Sequence, residues 1–449
     1  MSFNSRKLFW GIVLLAIIGL TLAGCKAPAP TPTPTPAPTP TPTPAPTPEE
    51  PLGTVEVLGV WGGTELESFE AMVAPWEQQT GGNMDFTGTR DLIAILTTRV
   101  QGANPPDVAI LPNPAQMVEL ARDGELVPLD SFLDMDKIGM EYAQGWIDLG
   151  TVDGNLYGIF MKVANKGTVW YNPKTFADNG WEVPTTWDEI IALSDEILDS
   201  GLAPWSIGVE SGQASGWPGT DWISQIVLRE YGGEVYDQWT SHEIPWTDPK
   251  IKEAWQRWGT IALTPGYVPG GATAILATNF TDASYLPFED PPQAAMYYLG
   301  SFTQGFIEEQ FPALVAEEDY SFFPFPVINP QYSGGVTAGA DVVIMFNDNP
   351  TTRSFLEYLA SAEAQQIWVE RGGFTSVNSQ VDLDAYPDPL ASLAAEQLGE
   401  ATLFRYGAGD VIPPAVQTAF WQGILAYLQD PNQLDSILAN IEAQAVASY

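Results

Sequence analysis

Residues 26–51 repeat Pro with Thr and Ala and close on Glu49-Glu50-Pro51. This tract sets the frame for the rest of the chain. Proline lacks a backbone N–H and fixes φ, so the tract supports neither helix nor sheet ladder. It also has no apolar face to bury. It is expected to run as an extended polyproline II tether at about 3.1 Å per residue. Any packed core must therefore lie beyond it. The stretch 53–449 is too long for one ordinary core, so two domains are expected.

Ahead of the tract, Arg6 and Lys7 precede an apolar run over 8–22. That run is short for a transmembrane helix with those flanks and reads as an export signal, residues 1–24. It ends Leu22-Ala23-Gly24-Cys25, which resembles the lipobox of bacterial lipoproteins. The resemblance implies cleavage before Cys25 and a diacylglyceryl thioether on its sulfur. Residues 25–52 would then be a lipidated cysteine and its spacer, holding the folded part near a membrane surface. Cys25 is the only cysteine, so no disulfide forms within the chain.

The net charge of −39, with only 17 Lys and Arg, argues against a nucleic-acid partner, which needs basic residues to replace counterions. It argues equally against broad electrostatic attachment to anionic lipid. The acidity is spread along the chain and reads as a solvated, self-repelling surface, and a monomer is expected. With one Cys and one His, no Cys/His zinc site is possible, and neither metal nor cofactor is expected. A Ser-His-Asp triad would need His242, whose surroundings read as an exposed connector.

From Thr54 the chain alternates strand, loop and helix. The run 54–60 is a strand, and Phe69, Met72, Val73 and Trp76 follow at helical spacing. A short strand (84–87), a helix through Leu92 and Leu96, a strand (108–111) and a helix ending near Gly124 come next. This order indicates an α/β domain with a mainly parallel sheet, in which ligands meet the loops at strand carboxyl ends. Those loops offer Trp61, Glu65 and Asn113. Val152-Asp153-Gly154-Asn155 marks a hairpin. Thr186-Trp187-Asp188-Glu189 has the form of a capping box, and Asp248-Pro249 that of a helix start. Trp255 and Trp258 sit on an apolar helical stripe and are expected in the core.

Ser215-Gly216-Trp217-Pro218-Gly219-Thr220-Asp221-Trp222 gathers two indoles, a carboxylate and a hydroxyl. Pro218 and its flanking glycines predict a shaped loop at the N-terminus of a helix that carries Ile223, Ile226, Val227 and Leu228, with Asp221 in or near its first turn. A flat apolar face beside a fixed acceptor suits a polyhydroxylated ring. A capping Asp with core tryptophans is the alternative, and Trp222, heading into the helix, is the one expected in the core.

Several motifs in this order resemble the extracellular solute-binding proteins of carbohydrate ABC importers, the maltose-binding-protein-like group. They are Val60-Trp61-Gly62-Gly63-Thr64-Glu65, Asn104-Pro105-Pro106-Asp107-Val108, Val169-Trp170-Tyr171-Asn172, Gly300-Ser301-Phe302, Gly372-Gly373-Phe374, and Ile412-Pro413 through Phe420-Trp421. Gly216 to Trp222 and His242 to Pro249 look most like α-glucoside-binding members. The resemblance implies a two-lobed, type II periplasmic-binding-protein-like α/β fold. One lobe would be 53–163 plus 331–374 and the other 164–330 plus 375–449, joined by crossover hinges around a ligand cleft. By the same resemblance, Trp61, Glu65, Asn165, Trp217, Asp221, Phe302 and Trp421 contact sugar, with Arg90, Asn113, Phe374 and Arg405 as further candidates. Maltose-binding protein has Trp at the position of Phe302, which tells against maltodextrin. The implied partners are a carbohydrate and the membrane permease. No GxxxxGK[ST] phosphate loop is present, so energy would come from a separate ATPase. A secreted glycoside hydrolase, using two of the 56 acidic residues as an acid/base pair, and a tethered surface adhesin are the competing classes.

Overall fold

Strands and helices alternate from Thr54 to the C-terminus in the computed structural model, which describes residues 51–399 and 401–449. The export signal, Cys25 and the tether up to Glu50 lie outside the described residues. In chain order the strands are β1 (Thr54–Gly59), β2 (Asn83–Gly88), β3 (Val108–Leu111), β4 (Thr151–Val152), β5 (Asn155–Leu156), β6 (Gly158–Asn165), β7 (Thr168–Tyr171), β8 (Ala203–Ser206), β9 (Ala294–Tyr298), β10 (Ser321–Pro324), β11 (Gly335–Met345), β12 (Thr375–Ser376) and β13 (Leu403–Tyr406). The larger sheet has the order β12-β6-β11-β3-β1-β2, with β13 paired to β11. The smaller sheet has the order β10-β7-β9-β8.

Each sheet has its own core. Val55, Val57, Phe69, Met72, Trp76, Ile110 and Trp368 belong to the first. Trp205, Trp222, Trp239, Trp255, Trp258 and Phe420 belong to the second. A third cluster around Trp170, Phe280, Tyr297 and Phe306 packs beside the smaller sheet. Trp222, Trp255 and Trp258 are thus core residues, as their helical spacing predicts. The β3 strand is buried at all four positions, which fits its unbroken apolar run between two neighbours.

In the larger sheet only β1 with β2 and β3, and β11 with β13, are parallel. The expectation of a mainly parallel sheet holds for the first three strands. β6 and β11 run antiparallel to one another, because the chain leaves and re-enters the sheet along this pair instead of returning over a helix. From Asn165 it passes into β7 of the smaller sheet by Thr168, and between Pro324 and Gly335 it comes back. Within 375–449, β12 and β13 hydrogen-bond to β6 and β11 of the larger sheet. The helices Pro414–Gln429 and Leu434–Ser448 pack in the second core.

Local signals that need only neighbouring residues are realised. Asp153 and Gly154 turn the β4–β5 hairpin. Thr186 and Glu189 form a reciprocal capping box, and Asp248 caps the helix Pro249–Ala262. The stretch 215–222 differs from expectation. The helix already begins at Trp217 and runs to Thr240, with a kink at Gly232. Pro218 sits in the first turn, where its missing N–H breaks no helical bond. Gly216 supplies the turn into the helix at φ 109, and a Cβ there would lie 2.4 Å from the Trp421 carbonyl oxygen. His242 is likewise not an exposed connector. Its Nε2 lies 3.1 Å from Glu442 Oε1, and its ring stacks on Tyr449. Among the described residues no helix is long and apolar enough to cross a membrane.

Candidate functional site

A cleft of about 160 Å³ opens between residues of the larger sheet and those of the second and third cores. Trp61, Glu65, Arg90 and Asn113 line it from loops and helix starts that follow β1, β2 and β3. Trp217, Phe302 and Trp421 line it from the other side, together with Phe280, Asp410 and Gln417. Seven residues expected at the site are thus brought together from distant parts of the chain.

Their surroundings differ. Trp61 is 2% exposed, in T-shaped contact with Phe69 and Trp368 and stacked on Phe86, so little of its indole is open to the cleft. Trp217 is half-buried, with Phe280 edge-on at 5.0 Å and Phe302 at 6.2 Å. Trp421 is also half-buried, on the helix Pro414–Gln429. Asn113 caps the helix Pro114–Arg122 by accepting from Ala115 N, and its Nδ2 donates to Gln417 Oε1 at 2.8 Å. The Arg90 guanidinium lies 5.1 Å from the centre of the Phe280 ring, an approach from one side of the cleft to the other.

Three expected residues do not face the cleft, and a fourth lies apart from it. Asn165 is fully buried; its Oδ1 accepts from Gly167 N and its Nδ2 donates to Gln397 Oε1, so it fixes the crossover after β6. Phe374 is 3% exposed and stacked on Trp368 in the first core. Asp221 is 3% exposed, and its Oδ1 accepts from Lys166 Nζ at 2.9 Å behind the cleft wall. The helix is buried without a break from Pro218 to Arg229, so it carries Asp221 inward, where only a paired cation makes it tolerable. Arg405 is held by Asp237 through both carboxylate oxygens, outside the cleft lining.

The floor consists of groups that sequence patterning did not single out. Lys162, within β6, and Lys166, just beyond it, sit at 4% and 7% exposure. Lys162 pairs with Glu65, and its ammonium lies 5.6 Å and 5.1 Å from the Trp61 and Trp368 ring centres. Lys166 donates to both Asp221 and Asp410 at 2.9 Å. Burial opposes the Lys166 charge, but the two carboxylates outweigh it and hold its pKa above the ordinary lysine value. Burial pushes the Asp221 carboxyl up to about 6 against the pull of Lys166. Asp341, on β11 beside Glu65 and Lys162, is pushed up to about 6 by burial, with Lys162 drawing it back. A lysine inside an otherwise apolar strand run was the available signal: buried ammonium groups demand carboxylate partners. Among the described residues no group of three or more His, Cys, Asp or Glu is placed to hold a metal ion.

Aromatic edges above fixed donors and acceptors suit a ligand with both C–H faces and hydroxyls. Residues 61–366 match the family model for bacterial extracellular solute-binding proteins. The chain belongs to that family. Among relatives of this solute-binding protein, the osmoprotective compounds-binding protein GgtB of Synechocystis sp. is 37% identical, over 94% of this chain and 95% of its own. The alpha-glucosides-binding periplasmic protein AglE of Rhizobium meliloti is 33% identical over 85% of each chain. The crystal structure of the bacterial solute receptor AcbH superposes with a TM-score of 0.77 at 22% identity, covering 88% of this chain and 99% of its own. That likeness supports the two-lobed α/β fold.

Proposed function

We propose that this solute-binding protein is the membrane-anchored binding component of an ABC sugar importer. It captures a carbohydrate, an α-glucoside or other oligosaccharide, by hinge closure and delivers it to the permease. The observation that carries this reading is the cleft itself, where Trp217, Phe302 and Trp421 stand opposite Glu65, Arg90 and Asn113. Sugar rings stack on aromatic faces, and sugar hydroxyls pair with charged and amide groups in a dry site. The family favours a solute-binding cleft, and the alpha-glucosides for which AglE is named favour the same ligand chemistry. Trp421 and Phe302 are the stacking surfaces in this reading, Trp217 adds an edge, and Glu65 and Asp341 accept from hydroxyls. Because only the closed arrangement lets both sides touch the ligand, binding stabilises closure.

The family supports a location outside the cytoplasm. In the same reading, residues 1–24 direct export, Cys25 carries the lipid, and the Pro/Thr tract spaces a monomeric binding domain from the membrane. Titration of the full chain with a panel of α-glucosides, followed by tryptophan fluorescence, tests the function. Saturable quenching without hydrolysis is expected. Release of monosaccharide, followed by chromatography, would replace binding with glycoside hydrolysis, and no response to any sugar would refute the carbohydrate assignment.

A further inference from the structure

Lys166 occupies a position that no ordinary structural ion pair requires. It follows β6 directly, at the crossover from the larger sheet to the smaller, and its backbone N–H donates to Thr337 O on β11. Its side chain lines the cleft. An ammonium has three N–H donors. Two go to Asp221 and Asp410, at 2.9 Å each, and among the hydrogen bonds of the described residues no protein acceptor takes the third. The ammonium also lies 5.7 Å from the centre of the Trp217 ring. Asp221 stands behind it, buried, with Oδ2 unpartnered. Asp410 stands beside it in the cleft wall. The two carboxylates therefore fix the ammonium in place and leave one donor without a protein acceptor on a residue that lines the cleft.

We propose that Lys166 is a specificity-determining ligand contact, which gives its remaining N–H to an acceptor oxygen of a neutral polyhydroxylated ligand and keeps cationic ligands off the face of Trp217. Asp221 is a positioning residue that acts through Lys166. The inference deepens the proposed carbohydrate function and rests on it. A sugar hydroxyl oxygen satisfies the donor at no cost in charge. A quaternary ammonium needs an open aromatic face. Here that face of Trp217 already carries a cation, and like charges would meet in a site of low dielectric. Lys162, held by Glu65 over Trp61, places a second cation against a cleft indole.

The test uses the full chain and the sugar that binds best in an α-glucoside panel, with its monodeoxy analogues and glycine betaine as probes. Lys166→Met should weaken sugar binding roughly tenfold to hundredfold, the loss expected for one hydrogen bond from a charged group. The double variant Lys166→Met/Asp221→Asn removes the buried charge left behind and keeps the comparison meaningful if the single variant folds poorly. One monodeoxy analogue should bind the wild type weakly and be indifferent to the substitution, which identifies the oxygen contacted. A merely structural role would not produce that coupling. Glycine betaine should leave the wild-type fluorescence unchanged. Equal affinity for the sugar in wild type and double variant, a loss shared by every deoxy analogue, or saturable betaine binding would each overturn the role of Lys166. If no sugar binds the wild type, the carbohydrate function falls first and this inference with it.

Discussion

The side-chain amide of Asn113 donates to Gln417 Oε1 at 2.8 Å, with both residues buried. Asn113 follows β3 of the larger sheet, and Gln417 lies on the helix Pro414–Gln429, whose Val416, Phe420 and Ile424 belong to the second core. Asn113 Oδ1 is committed to capping its own helix, and Gln417 Nε2 donates to Gly409 O at 2.6 Å. Each side chain is thus held rigidly on its own side, and the bond forms only while the two sides stand this close. Gln417→Ala leaves the helix cap intact and removes the link. It should cost the closed arrangement about 1–3 kcal/mol, because a buried donor loses its acceptor. Small-angle scattering of the ligand-free chain should show a larger radius of gyration, and ligand affinity should fall. An unchanged radius and affinity would show that the bond does not hold the cleft together.

Tryptophans in this chain divide by surroundings. Trp421→Ala should weaken ligand binding by roughly 2 kcal/mol, as for a central aromatic contact, with little effect on the melting temperature. Trp255 is fully buried in the second core, and Trp255→Ala should cost about 3–5 kcal/mol of stability. Asp221→Ala should behave like Trp255→Ala in the first instance, since it leaves Lys166 with Asp410 alone. Thermal melts and fluorescence titrations on the same samples separate the two quantities. A stable Asp221→Ala protein with lost affinity, to which Lys166→Met adds its full loss, would restore Asp221 as a direct contact.

The pH dependence has a definite sign. Burial raises the Asp341 carboxyl to about 6, with Lys162 opposing, whereas an unfolded aspartate titrates near 3.9. The folded chain therefore takes up this proton at higher pH than the unfolded chain. Its contribution to stability is fully present below about pH 4 and is lost as the pH rises through 6. Asp221 has the same sign. Asp341→Asn should therefore be more stable than wild type at pH 7–8, with the difference shrinking toward pH 4. Urea unfolding at pH 4.5, 6 and 8 measures this, and a gap independent of pH would count against a raised Asp341.

Gly216 joins the two halves of the aromatic wall. Its φ of 109 disfavours other residues, and an added Cβ would meet Trp421 backbone at 2.4 Å. Gly216→Ala should cost about 1–3 kcal/mol of stability and weaken ligand binding as well, because Trp217 and Trp421 must both shift. Calorimetry and titration of one preparation report both effects. A protein with wild-type melting and affinity would show that this contact yields freely.

Much of the architecture follows from residues close together in the chain. The Pro/Thr tract of residues 26–51 cannot itself supply a core, because proline removes donors and the tract has nothing apolar to bury. Alternating strand and helix periods give the α/β class. The capping box at Thr186 and the apolar stripe through Trp255 and Trp258 need only a few neighbouring residues to act. Loop residues that follow strands, such as Glu65 and Asn113, were legible as cleft residues because strand ends deliver loops to one edge of a sheet. Which polar side chains face the cleft was decided only by tertiary structure. Asp221 looks like an exposed acceptor in its own segment, but Lys166, 55 residues away, draws it inward. Asp410 completes that cluster from 244 residues away. Asn165 and Phe374 turn to partners in other elements in the same manner. Periodicity determines which face of an element is apolar, whereas a buried charge takes its direction from whichever opposite charge the fold brings near.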